Sequence, residues 1–307
     1  TLRALRMASH SPIDNRASAS TRTVEQLMHL LKQFAGFRSS PQIQRKLERI
    51  FQNPADLTEF LRNIEADTSK SQLAALVEDL TNHETYFFRE RAHLNALEDV
   101  VIPALVQKKK QQGGIKKITI WSAACATGEE AYTLTMLTLN TLVRLGIGHE
   151  ATAGNITLPA DWKLDILGTD ISRQAVRIAR DATYTQRREG LSSFRQFPLA
   201  YLRFFDLVSS EGDDRKTWRI KDSVRRYVHF DLHNLMNPLP PQREFDVIFC
   251  RNALIYMDSE PQKSIVRTLH HALQPGGCLM LSLVDTMAVP QLYRENRQNK
   301  CVIYEKP

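Results

Sequence analysis

At 307 residues the chain exceeds one typical domain, which implies two domains or one large domain with an appendage. Its 42% hydrophobic and 24% charged residues describe an ordinary globular protein with a core, and no window approaches the ~18–20 consecutive apolar residues of a membrane span. The formal net charge of +7 suits an acidic partner surface, which nucleic acid, an acidic helix or a substrate carboxylate would all supply. Cys125, Cys250, Cys278 and Cys301 lack metal-type pair spacing, and no signal-peptide apolar stretch opens the chain, so a cytoplasmic protein with free thiols is expected.

Residues 1–22 are rich in Ser, Ala and Arg without apolar periodicity, and a disordered or loosely docked tail is expected there. From 23 to 80 the spacing is helical. Leu27, Leu30, Leu31 and Phe34 share one stripe, and Ile43, Leu47, Ile50 and Phe51 a second. Leu57, Phe60, Leu61 and Ile64, then Leu73, Leu76, Val77 and Leu80, complete four amphipathic helices, so 23–80 is predicted as an all-α domain. Its second helix carries Arg45, Lys46 and Arg49 off the stripe, either a solvated face or a docking surface for an acidic helix.

TNHETYFFRE (81–90) then sets Tyr86, Phe87 and Phe88 side by side, more apolar surface than one helical stripe can bury. If that stretch is helical, Thr85 and Arg89 at i, i+4 share one face. A further helix is expected near 90–107, so 81–107 reads as a linker with a connecting helix, ended by the basic, solvated turn KKKQQGGIKK. Beyond it strands and helices alternate through 108–307. ITIWSAAC (118–125), KLDILGTD (163–170), EFDVIFC (244–250) and CLMLSLV (278–284) read as strands. Helices are expected at 129–145, at 172–182 with Ser172 as N-cap, and near 259–273 up to LQPGG. LYREN and CVIYEKP suggest a closing antiparallel pair, and 208–230, with a turn cluster followed by alternation, suggests a short antiparallel insert. The alternation implies a doubly wound α/β fold with a parallel sheet.

Ligands of such sheets bind at the carboxyl ends of the strands, near the point where strand order reverses. After the first strand stands Ala123-Ala124-Cys125-Ala126-Thr127-Gly128-Glu129-Glu130. Small residues allow close backbone approach, while two glutamates disfavour a pyrophosphate and suit ribose hydroxyls or an ammonium. Acids that simply complement the helix dipole are the alternative. Asp170 ends the second strand, where nucleoside-binding sheets place an acid on ribose. Arg251 and Asn252 follow the third clear strand, and Asn234 lies at an earlier strand end. The set suits an adenosyl ligand.

TNHETYFFRE, WSAACATGEEAY, GTDIS followed by a helix, and FDVIFCRNALIYMD, in this order, resemble the chemotaxis receptor methyltransferase (CheR) family over roughly residues 25–307. The resemblance implies a Rossmann-like class I methyltransferase domain with a small antiparallel β-subdomain insert, preceded by an all-α N-terminal domain. It implies S-adenosylmethionine as cofactor, S-adenosylhomocysteine as product, and formation of γ-glutamyl methyl esters on chemoreceptor cytoplasmic helices. Cofactor contacts are implied for His83, Thr85, Arg89, Glu130, Asp170, Asn234, Leu235, Arg251 and Asn252, with Arg89 and Tyr256 nearest the transferred methyl. The basic second helix would face receptor helices, and the insert could hold a receptor C-terminal peptide. A monomer is expected, with neither nucleic acid nor membrane insertion.

A glutamate side chain ordinarily titrates at about 4.3, so it is already ionised at neutral pH. The reaction therefore needs positioning rather than a base, and no nucleophile–base dyad or metal cluster stands out in the sequence. Three positions depart from the family pattern: His83 in place of asparagine, Ala131 in place of proline, and LSLVDTMA in place of a Gly-His-Ser-Glu-like segment. Another acceptor, protein or nucleic acid, and a non-catalytic S-adenosylmethionine-binding signalling module are the alternatives.

Overall fold

The structure, a computed structural model, describes residues 12–51, 53–81, 84–187, 192–212, 214–239, 244–298 and 300–307. They form two compact units that meet in sequence between Leu80 and Thr81.

The first unit is four helices: α1 (Pro12–Ala35), α2 (Pro41–Ile50), α3 (Pro54–Ala66) and α4 (Ser71–Leu80). Residues 12–22, expected in the tail, are thus the start of α1; residues 1–11 lie outside the described residues. Proline at the first helical position suits α2 and α3, because that N–H has no intrahelical partner. Ser40 caps α2 by accepting from Ile43 N at 3.3 Å. Asp67 accepts from Ser69 N, Ser71 Oγ and Gln72 N, bonds that lead α4 out of the preceding loop and pull its carboxyl down to about 2. Leu27, Leu31, Leu47, Leu61, Leu76, Val77 and Leu80 are buried. Each contributes ~1.5–3 kcal/mol of burial, which short helices need because they are marginal in isolation.

The second unit opens with α5 (Arg91–Ala96) and α6 (Ile102–Lys110), joined through a π-helical turn over Leu97–Val101. Ile102 N donates to Leu97 O, one residue beyond the usual partner. Pro103 follows directly, and a proline there cannot donate and crowds the carbonyl four residues back, which the widened turn relieves.

The main sheet is built from β1 (Lys116–Ala123), β4 (Trp162–Asp170), β8 (Val228–Leu232), β9 (Phe245–Cys250), β10 (Leu273–Leu281), β11 (Arg294–Gln298) and β12 (Cys301–Glu305), in the order β11-β12-β10-β9-β1-β4-β8. β8, β4, β1, β9 and β10 are parallel, and β12 runs antiparallel to both β10 and β11. The chain winds outward from β1 through β4 to β8, then returns to β9 on the other side of β1, so the order reverses between β1 and β9. Helices α7 (Glu129–Arg144), α8 (Arg173–Asp181) and α10 (Ser259–Ala272) make the crossovers. Ile118 and Ile120 of β1 pack with Leu134 of α7, while Trp121 on the alternate face packs with Ile265 and Leu269 of α10. Both faces of the sheet are therefore covered, as parallel strands require.

A separate hairpin pairs β2 (His149–Thr152) with β3 (Asn155–Thr157), an element the sequence reading did not anticipate. The antiparallel insert expected at 208–230 has different bounds. β5 (Thr183–Arg187), β6 (Phe205–Glu211) and β7 (Arg215–Ile220) form a three-stranded sheet in the order β5-β7-β6. It starts right after α8, and 228–230 belong to the main sheet instead, beyond the short α9 (Asp222–Arg225). β5 recruits β7 across more than 25 residues of chain, a pairing that local alternation cannot reveal.

Candidate active site

The site lies where strand order reverses, at the carboxyl ends of β1, β4, β8, β9 and β10. The turn after β1 is shaped by Ala124 (φ 64°), Ala126 (φ 47°) and Gly128 (φ 95°), all left-handed. At Gly128 an added Cβ would lie 2.8 Å from Ala179 Cβ, so glycine is demanded both by the backbone and by the approach of α8. Asp170 braces this turn. Its Oδ2 accepts from Ala126 N at 2.8 Å and its Oδ1 from Ser172 N at 3.0 Å. Ser172 in turn caps α8 by accepting from Ala175 N.

The paired glutamates diverge. Glu129 is buried, and its carboxylate accepts from Thr127 Oγ1 at 2.6 Å and Ser193 Oγ at 2.7 Å. Burial pushes its carboxyl upward despite those donors. Glu129 thus ties α7 to the segment before β6. Glu130 instead turns to the strand ends, where Oε1 accepts from Ser122 Oγ at 2.6 Å and Oε2 from Arg251 Nε at 2.7 Å.

Arg251, the first residue after β9, is buried to 2% side-chain exposure and joins several segments. Its Nη1 donates to Arg89 O at 2.9 Å and lies 3.7 Å from Glu90 Oε2. Asn252 Nδ2 reaches Glu90 Oε1 at 3.2 Å. Beneath them His93 sits 3.4 Å from Glu90 Oε2, and burial, with Arg251 adding to it, depresses its imidazole. Glu130, Arg251, Asn252 and the backbone of Arg89 are therefore one connected network, the kind that specifies a single arrangement when satisfied.

The described residues of TNHETYFFRE, 81 and 84–90, form no helix. Phe88 (φ 61°) and Glu90 (φ 55°) are left-handed, so Thr85 and Arg89 do not share a helical face. Tertiary bonds replace helical ones: Phe87 N donates to Ser193 O, and Phe88 N to Thr133 Oγ1 of α7. Phe87 lies within 4.9–5.7 Å of Tyr184, Phe194, Phe197 and Phe205, and Phe88 packs on Phe197 and Tyr201. The rings thus join the turn to the β5–β7 subdomain. Tyr86 remains half-buried, with the Arg195 guanidinium 4.0 Å over its ring, and Arg89 Nη1 donates to Glu84 O.

Thr85 is half-buried in that turn, and Tyr256 in the single 3-10 turn Leu254–Tyr256 after β9. Beyond β8, Asn234 Oδ1 accepts from Met236 N, and Leu235 is buried against the face of the sheet that carries Trp121. His83 lies outside the described residues. Sequence reading passed over Glu90, Ser122 and Asp285. Asp285 sits in the LSLVDTMA segment and accepts from Asn252 N at 2.6 Å and Ile255 N at 3.1 Å. The only sequence signal at these positions is a polar residue at the end of an apolar run. Cys125 and Cys250 also border the site, but burial drives both thiols up, so neither offers a thiolate. Among the described residues no cluster of His, Cys, Asp and Glu could hold a metal ion.

The fold and this donor set define a methyltransferase of the nucleoside-binding, doubly wound type. A family model described as "CheR methyltransferase, SAM binding domain" matches residues 83–302. Similar proteins include a chemotaxis protein methyltransferase of Vibrio parahaemolyticus, 31% identical over 82% of this chain and 82% of its own. Chemotaxis protein methyltransferase 1 of Pseudomonas aeruginosa is 31% identical over 77% of this chain and 79% of its own. A chemotaxis protein methyltransferase of Borreliella burgdorferi is 28% identical over 78% of this chain and 80% of its own. The chain belongs to the CheR methyltransferase family, and its cofactor is S-adenosylmethionine.

The residues fit that cofactor. Asp170 and Glu130 set carboxylates at adjoining strand ends, the acceptor chemistry that ribose hydroxyls and an ammonium require. The turn between them bears nothing bulkier than Cys125 and Thr127, which leaves room for close backbone approach.

Proposed function

We propose that the protein forms γ-glutamyl methyl esters on cytoplasmic helices of chemoreceptors, in chemotaxis adaptation. The observation that carries the reading is the network through Arg251, which ties the Arg89 turn to Glu130 at the cofactor end of the sheet. Asp170, Glu130, Asn234, Asn252 and the turn after β1 are taken as the cofactor contacts, together with Thr85 and Leu235. Bound S-adenosylmethionine supplies an electrophilic methyl group on a sulfonium. The acceptor carboxylate is ionised at neutral pH and needs no general base. Orientation is then the main task, and it can supply ~7–11 kcal/mol. Arg89 fits the role of holding the acceptor carboxylate in place by its forked donors, with Tyr256 beside the path of transfer. A tight clamp would make the carboxylate a poorer nucleophile, so placement is the role assigned.

For partners, Arg45 and Arg49 of α2 are exposed and suit an acidic helix, while Lys46 Nζ is engaged with Leu80 O at 2.8 Å. A receptor C-terminal peptide suits the β5–β7 subdomain. There β6 is an edge strand whose Leu207 and Val208 are exposed, a surface that an extended peptide can lengthen by one strand.

The test is transfer of labelled methyl from S-adenosylmethionine to receptor cytoplasmic fragments. The expected product is label on glutamate that is released as methanol by mild base. Base-stable label, label on RNA, or no transfer despite cofactor binding would overturn the reading.

A further inference from the structure

β10 ends at Leu281, and Ser282–Asp285 forms a tight turn beside the loop that follows β9. This turn carries Leu283 and Val284, which are 70% and 61% exposed, so burial of its own apolar residues does not hold it in place. What holds it is a convergence of donors on one carboxylate. Asp285 Oδ2 accepts from Asn252 N at 2.6 Å, from Ser282 Oγ at 2.6 Å and from Ser282 N at 3.3 Å. Asp285 Oδ1 accepts from Ile255 N at 3.1 Å. Two of these donors are backbone amides of the loop that bears Arg251, Asn252 and Tyr256. One of them belongs to Asn252, whose φ of 59° is left-handed. Asparagine tolerates that region better than other non-glycine residues, and the charge-assisted bond to its own amide holds it in this one orientation.

We infer that Asp285 is a positioning residue for methyl transfer: its carboxylate fixes the 251–257 loop so that Asn252 meets Glu90 and Tyr256 is held at the rim. Asp285 touches neither the cofactor nor the acceptor in this assignment; it acts through the loop. The inference rests on the methyl-transfer reading for its kinetic arm, while its structural arm stands on the hydrogen bonds alone.

Asp285→Asn keeps the size of the side chain but replaces one acceptor oxygen with a donor that faces amide hydrogens. Ser282→Ala is the milder variant, removing one bond to the same carboxylate. In Asp285→Asn, hydrogen exchange at the Asn252 and Ile255 amides accelerates about tenfold or more, while the amides of β1 and β4 keep their rates. Turnover per folded molecule falls about tenfold or more, with the acceptor KM moved less than about threefold, because misplacement by an ångström costs rate rather than binding. If Asp285→Asn does not fold, Ser282→Ala shows the same pattern at about threefold. A purely architectural role predicts a lower melting temperature with unchanged turnover per folded molecule, and that result overturns the inference. Unchanged exchange at both amides also overturns it. If wild type methylates none of the receptor fragments, the functional reading fails separately, and the exchange rates with the affinity for S-adenosylhomocysteine decide the role of Asp285.

Discussion

Two buried ion pairs of 2.7 Å lie at opposite ends of the sheet, Lys109–Asp246 at the amino end and Arg251–Glu130 at the carboxyl end. At the amino end, Asp246 also accepts from Thr119 N and Thr119 Oγ1 and, among the described residues, makes no link to those of the site. The Arg251 pair is embedded in an open-ended network that reaches Arg89, Glu90 and Asn252, with Glu90 Oε2 and His93 Nδ1 lacking a hydrogen-bond partner among the described residues. Separation and burial are alike; surroundings differ. A buried pair contributes little net stability by itself, so what distinguishes the two is what each is connected to.

That contrast can be broken experimentally. Arg251→Met leaves Glu130 buried and unpaired, costing ~3–5 kcal/mol in urea unfolding. The same variant also abolishes measurable S-adenosylhomocysteine binding by calorimetry. Lys109→Met costs a similar ~3–5 kcal/mol, because Asp246 is stranded, but folded protein retains wild-type affinity. Replacing Lys109 and Asp246 together by Met and Leu recovers most of that loss, whereas the corresponding double replacement of Arg251 and Glu130 restores stability without restoring binding. Recovery of binding in the second double variant would erase the distinction drawn between the two ends. Asp170→Ala is smaller: loss of one charged acceptor costs ~1.5–3 kcal/mol of binding, on the order of tenfold to a hundredfold in affinity for S-adenosylhomocysteine.

The smallest effect is on pH dependence. Burial, with Arg251 adding to it and Glu90 and Glu130 opposing it, holds the His93 imidazole below its ordinary 6.5. The unfolded chain therefore takes up this proton first, and stability present above pH 6.5 is lost as pH falls through the folded-state value. His93→Asn flattens that acid-side loss in melting temperature, and an unchanged slope would mean that the proton is taken up elsewhere.

Much of this protein was legible before its structure. Stripes at helical spacing delivered α1–α4, alternation delivered the parallel sheet, and Ser172 was readable as a cap from its position before α8. Asp170, Arg251 and Asn252 were legible because strand ends are identifiable and ligands of doubly wound sheets gather there. Other features were not. The i, i+4 spacing of Thr85 and Arg89 suggests a shared helical face, but TYFFRE is an irregular turn, since Ser193 and Thr133 capture the amides of Phe87 and Phe88. The residues alone hardly separate Glu129 from Glu130, yet one faces Ser193 and the other Arg251.

What the sequence determined by itself is the order of elements and the chemistry available at each strand end, because periodicity and caps are local properties of the chain. What only the tertiary structure decided is which of those groups meet. β5 pairs with β7, Asp285 closes on Asn252, and the rings of Phe87 and Phe88 settle against the subdomain. Each of these contacts joins segments far apart in the chain. Their strength comes from burial and from mutually satisfied donors and acceptors, which exist only once the sheet has brought them together.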